Sequence, residues 1–247
     1  MLGQNNVLAN DASSTAGFGV GNVLWGTNAF AFGLDNNVKA GTSSGALNSS
    51  GAQAFGVLNV VDATNSGSYS SGSSNPYYRI FAKAAIGVRN TIKKTTPDYG
   101  YSADETCDLA FGLNNTMEGT LASWSSTDFK HATILIGKNN SSSQTRVFAT
   151  GIGHDLKVEG EDVMVLGRFN DPTCNTNSIA NKMYIYSQQG PMLVIGNGGY
   201  DYYRYNIVVI NKNGTIEING DTTFDGKIKT KKAYGGISMG EFGKPAE

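Results

Sequence analysis

The chain has 247 residues, with 19 Lys and Arg against 20 Asp and Glu and a formal net charge of -1. That balance excludes a nucleic-acid protein held by a general basic field, and no run of about 18 apolar residues offers a membrane-spanning helix. Two cysteines, Cys107 and Cys174, make no disulfide framework, and two histidines, His131 and His154, leave little for zinc or histidine chemistry, so no metal and no cofactor is expected.

Gly, Asn, Ser and Thr together make up about two-fifths of the chain, while charged residues are only 16%. Between Met1 and Tyr78 the only charged side chains are Asp11, Asp35, Lys39 and Asp62. Small polar residues without helix formers argue for strands, turns and close backbone packing. With aromatics at 10% and charge low, the composition is not that of a disordered chain. No sustained 3.6-residue period marks a long helix.

Residues 1–64 form the most regular region, and one phrase recurs there: alternating small or apolar residues, then Gly, two variable positions and Asn. The clear copies turn at Gly33 and Asn36, and at Gly56 and Asn59. Residues 65–76 read as a Gly/Ser loop. Residues 77–170 carry the phrase onward at Gly87 and Asn90, Gly112 and Asn115, Gly137 and Asn140, and Gly167 and Asn170. Weaker copies end at Gly3, Gly21, Gly153 and Gly196, with Asp155 standing in for Asn after Gly153. Polar loops are expected from Thr91 to Ala103 and from Asn139 to Ser143. The spacing is uneven: 14 residues separate Gly153 from Gly167, and 25 separate Gly87 from Gly112. Short intervals suit one coil of a winding β structure; long ones suit two coils, or one coil with an inserted loop.

The alternation puts Ala, Phe, Ile and Val on one face of a short strand. Gly permits the turn or a close approach, and Asn tolerates the left-handed region, so Gly-x-x-Asn makes a repeatable corner. One coil cannot bury its apolar face alone, whereas stacked coils can. An ordinary β-sandwich with Gly turns is the plainer alternative. Residues 171–247 depart from the repeat. Met183–Tyr186, Met192–Ile195 and Ile207–Ile210 are stronger strands. Asn213-Gly214 signals a two-residue hairpin, and Asn219-Gly220 and Asp225-Gly226 add turns, so an antiparallel meander is expected.

Several groups invite chemistry. Gly236-Ile237-Ser238-Met239-Gly240 matches a serine elbow, but both histidines lie upstream of it, and a Gly-rich tail is the simpler reading. His154-Asp155 reads as a turn at a repeat corner rather than a catalytic pair. Carboxylates gather at Asp104, Glu105 and Asp108 and at Glu159, Glu161 and Asp162; they read as solvated loop charges unless two of them sit at glycosidase spacing. The aromatic groups Tyr77 and Tyr78, Tyr99 and Tyr101, Trp124, and Tyr200, Tyr202, Tyr203 and Tyr205 offer flat apolar faces for a sugar ring or a partner protein. For Tyr202 to Tyr205, packing between copies of the chain is the plainer use. Lys227, Lys229, Lys231, Lys232 and Lys244 make the end locally basic, as a solubilising edge or a docking surface.

The phrases from Asn28 to Asn59 resemble the β-roll repeats in the heads of trimeric autotransporter adhesins, and those of bacteriophage tail fibres and neck appendages. The stretches Leu193–Gly198 and Asn211–Asp221 are similar, more specifically, to phage fibre and tail-spike proteins. The resemblance implies an all-β, elongated homotrimer of β-roll or β-solenoid-like repeats followed by a C-terminal antiparallel β-meander. It implies a structural and binding part of a bacteriophage virion: a fibre, head or neck appendage, or decoration protein. Its partners would be its own copies, other virion proteins and host-surface polysaccharide, without nucleic acid or membrane insertion. With no leader after Met1, assembly in the host cytoplasm is expected. No catalytic residue is assigned. The alternatives left open are a virion-associated polysaccharide depolymerase and a bacterial trimeric surface adhesin.

Overall fold

A computed structural model describes residues 1–9, 14–26, 28–39, 48–62, 79–95, 103–120, 128–142, 148–159, 162–172 and 190–220. Among the described residues, nineteen strands form two stacks. The larger sheet orders β1 (Leu2–Gln4), β3 (Ala16–Val20), β5 (Ala29–Leu34), β7 (Asn48–Val57), β9 (Arg79–Val88), β11 (Ala103–Leu113), β13 (Asp128–Lys138), β15 (Phe148–His154), β16 (Val163–Arg168), β17 (Pro191–Asn197), β18 (Asn206–Asn211) and β19 (Ile216–Ile218). The smaller sheet stacks β2 (Val7–Leu8), β4 (Val23–Trp25), β6 (Asn37–Lys39), β8 (Val60–Asp62), β10 (Thr91–Thr95), β12 (Thr116–Thr120) and β14 (Ser141–Ser142). The fold is all-β and solenoid-like. Among the described strands, the pairing is parallel except where β17, β18 and β19 run antiparallel.

Each of the first seven coils lays one strand in each sheet, joined by the Gly-x-x-Asn corner, whereas among the described residues the coils that turn at Gly153, Gly167 and Gly196 lay a strand in the large sheet alone. The corner glycines stand in one register column: Gly3, Gly19, Gly33, Gly56, Gly87, Gly112, Gly137, Gly153, Gly167 and Gly196. Gly87, Gly112 and Gly137 are direct neighbours, so a 25-residue interval is one coil rather than two. Part of its extra length extends the large-sheet strand: β5 has 6 residues and β11 has 11.

Two repeat positions differ from expectation. The first coils turn on Gly19, not Gly21, because Gly19 pairs with Gly3 and Gly33. Asp155 does not replace Asn, because the ladder position after Gly153 belongs to Leu156. Gly21 and Asp155 instead hold the left-handed position just before it, at φ 68 and 56°, as do Asn5, Asp35, Leu58, Arg89, Asn114, Asn139 and Phe169. The recurrent Asn is therefore not itself the left-handed residue. It is buried, and Asn22, Asn36, Asn59, Asn90, Asn115 and Asn140 form a ladder through the stack.

The expected polar loops also contain structure. Thr91–Thr95 is strand β10, and Asn140 to Ser142 supply a ladder residue and β14, because the corner returns the chain at once to the small sheet. Asp104, Glu105 and Asp108 lie in β11 rather than a loop, and Asp108 is buried. The hairpin at Asn213-Gly214 has three loop residues, since the Asn211 N–H donates to the Thr215 carbonyl at 2.9 Å and Gly214 takes φ 86°.

The core is a single layer between the sheets. Leu24, Val38, Val61, Ile92 and Met117 of the small sheet are fully buried, as are Ala31, Ala54, Ala85 and Ala110 of the large one. Where Leu135 replaces alanine, the small sheet offers Ser142; where Gly151 does, Val158 fills the space, and a Cβ on Gly151 would lie 2.5 Å from its Cγ2. Large faces small in these coils, as close packing of two sheets at a fixed separation requires. One inward row is polar: Lys83, Asp108 and Thr133 are buried neighbours in register. Lys83 Nζ donates to the Asp62 carbonyl at 2.7 Å, and the Thr133 N–H donates to Asp108 Oδ1 at 3.1 Å.

Candidate functional site

The outward face of the large sheet is unlike an ordinary solvated sheet. The position before each corner glycine is apolar in all ten coils: Leu2, Phe18, Phe32, Phe55, Ile86, Phe111, Ile136, Ile152, Leu166 and Ile195. Phe32 is 56% exposed and Phe111 48%. Two residues earlier stand Phe30, Leu109, Ile134, Met164 and Leu193, and two later Val20, Leu34, Val57, Val88 and Leu113. Phe18, Phe30, Phe32 and Phe55 cluster, with ring centroids 5.3 to 6.3 Å apart. The outward face of the small sheet is mixed: Val7, Val23, Trp25 and Val60 share its columns with Lys39, Asp62, Thr91, Lys93, Thr116 and Glu118, and Lys93 and Glu118 pair at 3.6 Å.

The apolar band is about 45 Å long at ~4.8 Å per strand and two to three columns wide, on the order of 700 Å². A typical monomer's largest exposed apolar patch is about 300–600 Å², and a stable interface takes roughly 800 Å² from each partner. The band is of interface size.

Toward the C-terminal end the column after the glycine changes character. Leu113 is followed in register by Lys138, His154 and Arg168, then Asn197. His154 Nδ1 lies 3.0 Å from Asp155 Oδ2, and the His154 ring meets the edge of Phe169 at 5.4 Å. His154 and Asp155 thus do pair, at a repeat corner. Arg204 lies 5.7 Å over Phe169 and donates to the carbonyls of Asp155 at 2.7 Å and Asn170 at 3.3 Å. Arg204 also pairs with Asp201, holding that carboxyl below its ordinary value, chiefly through the hydrogen bond and then through its charge.

This anchoring fixes the turn that bears the tyrosines. Tyr200 and Tyr202 stack with centroids 5.6 Å apart and planes 9° apart, and Tyr202 is 89% exposed. Tyr203 is exposed, and the Tyr205 hydroxyl donates to the Asn219 carbonyl at 2.7 Å. The density of tyrosines marks this turn in the sequence, but nothing there marks the Lys138, His154 and Arg168 row. That row becomes visible only when three corners separated by unequal intervals are superposed. Tyr77, Tyr78, Tyr99, Tyr101 and Trp124 lie outside the described residues, as do Gly236–Gly240 and the C-terminal lysines. Among the described residues no group of three His, Cys, Asp or Glu side chains is placed to hold a metal ion.

No family model matches this sequence, and neither a curated protein nor a solved structure matches it.

Proposed function

We propose that this chain is a structural and binding component of a bacteriophage particle: an elongated homotrimeric fibre, appendage or decoration protein. The observation that carries the assembly is the apolar column of ten residues, unbroken from coil to coil, on one outer face, where the opposite face is mixed. A surface whose ridges recur at every strand needs a partner with the same axial repeat, and another copy of the chain has it. Three such faces around one axis cover the central columns, while the column after the glycine, the last residue of each large-sheet strand, lies at the corner rim of the seam and leaves Lys138, His154 and Arg168 open to solvent. The phage assignment is supported by the phrases at Leu193–Gly198 and Asn211–Asp221. The exposed tyrosine turn supports a role in recognising host-surface glycan, with other virion proteins holding the fibre in place.

Sedimentation of the full chain at micromolar concentration tests the assembly. A species of three times the 26.1 kDa chain mass is expected, and a monomer or a dimer overturns it. Mass spectrometry of purified particles tests the location: peptides of this chain should co-purify with the virion. Recovery on bacterial envelopes instead would point to a surface adhesin.

A further inference from the structure

We infer that the row Lys138, His154 and Arg168, together with the stacked Tyr200 and Tyr202, is a binding site for an acidic oligosaccharide. This rests on the glycan-recognition reading above and names the class of ligand.

Lys138 and Arg168 stand two strand spacings apart in one column, ~9.6 Å, with the His154 ring between them. From Val20 to Leu113 the same column holds only apolar residues, so the fold does not require charge there. Lys138, His154 and Arg168 follow without interruption on β13, β15 and β16. At the corner the Asp155 carboxylate is taken up by His154 Nδ1 and by Asn139 Nδ2, each at 3.0 Å. Lys138 and Arg168 remain exposed cations on either side. A column that is apolar from Val20 to Leu113 and then polar and basic over three consecutive coils departs from its own repeat, and such departures gather at sites of use.

The spacing names the ligand. Lys138 and Arg168 lie two strand spacings apart, ~9.6 Å, so an extended two-fold chain of acidic sugars, whose alternate carboxylates face one way, can set one carboxylate on each cation with a sugar over His154 between them. Arg168 offers a planar fork to a carboxylate, and Lys138 a point charge. The second requirement of a sugar is a flat apolar surface, which the tyrosine pair supplies. Its position follows from the backbone: Asn197 is the register neighbour of Arg168, the Gly198 N–H donates to the Arg168 carbonyl at 3.2 Å, and Tyr200 follows two residues later. Arg204, held by Asp201, Asp155 and Asn170, keeps the turn in one conformation before any ligand arrives, which lowers the ordering cost of binding.

Calorimetric titration of the full chain with tetragalacturonic acid tests this, with maltotetraose as the neutral probe and inorganic phosphate as the bare anion. Saturable binding of the acidic tetramer is expected, weakened by added salt. K138Q and R168Q should each weaken it about tenfold, and Y202A several-fold, while K93Q on the opposite face should leave it unchanged. No saturation by the acidic tetramer, an equal loss in K93Q, or phosphate binding as tightly as the tetramer would each overturn the proposal. Melting curves establish that each variant is folded, and sedimentation of the same samples reads assembly separately. A trimer that does not bind refutes only this inference, and a binding monomer refutes only the trimer.

Discussion

At the residue scale, the corner rests on two side-chain requirements, one for nothing and one for an amide. A Cβ built on Gly112 would lie 2.0 Å from the Gly137 carbonyl oxygen of the next coil, at a φ of 121°. The clash is with backbone and repeats up the column, so no rotamer relieves it. The ladder amide has the opposite demand. Asn90 Oδ1 accepts from the N–H and Nδ2 of Asn115, at 3.1 and 3.0 Å, while its own Nδ2 donates to Asn59 Oδ1 and to the Ile86 and Gly112 carbonyls. These groups are dry, so an unmet one costs about 1–3 kcal/mol. Asn90→Ala is expected to destabilise the fold by about 2–4 kcal/mol, since neighbours relax in part. Gly112→Ala is expected to be worse, above about 4 kcal/mol. Urea unfolding followed by circular dichroism measures both; a midpoint unchanged in either variant would contradict the role assigned to that column.

At the element scale, the coil is the unit of construction, and the minimal coil is the 14 residues from Gly19 to Gly33 or from Gly153 to Gly167. Interactions between coils are nearest-neighbour, as in other solenoids. Removing Val20–Gly33 joins Gly19 to Leu34-Asp35-Asn36, which restores Gly-x-x-Asn and lets β3 pair with β7 and β2 with β6. Removing one residue fewer, Val20–Phe32, leaves an extra glycine in the corner and displaces every side chain beyond it. The 14-residue deletion should fold and melt within about 10 °C of the parent, given the loss of one coil among ten, whereas the 13-residue deletion should lose cooperative unfolding. Thermal melts of the two decide whether the coil is modular.

Much of this element is legible in sequence, because period-2 alternation and Gly-x-x-Asn are local signals. Six corners can be read directly from their Gly and Asn. The Gly19 corner is obscured by Gly21, which offers a second glycine two residues on, and only pairing across coils decides between them. The buried row of Lys83, Asp108 and Thr133 is not legible, since a lysine amid alanines reads as an exposed position until its register neighbour is known to be an inward aspartate. The same holds for the basic row at Lys138, His154 and Arg168: its members are 16 and 14 residues apart, and no single strand shows more than one of them.

At the scale of the whole molecule, the proposed assembly makes a prediction that separates interface from core. Phe111 points away from the interior and is 48% exposed, so a polar residue there leaves the packing between the two sheets untouched. In an assembly through the large-sheet face, however, each copy would bury that residue near the middle of the band, between Ile86 and Ile136. Phe111→Asp then removes an aromatic contact and places an unpaired carboxylate in an apolar seam, a loss of about 3 kcal/mol or more for every chain. Copies act together, so the penalty recurs in each subunit. Phe111→Asp should therefore sediment as a folded monomer with the parent's circular dichroism spectrum. Thr116→Asp, on the outward face of the small sheet, should keep the parent's mass. If Phe111→Asp retained the assembled mass, the copies would have to meet through some other surface, and the apolar band would need a different partner. If it unfolded instead, the monomer would depend on the interface for its stability, and Asp would have to be replaced by the milder Phe111→Ser. That variant removes the aromatic contact without burying a charge, so at limiting concentration it should dissociate before it melts.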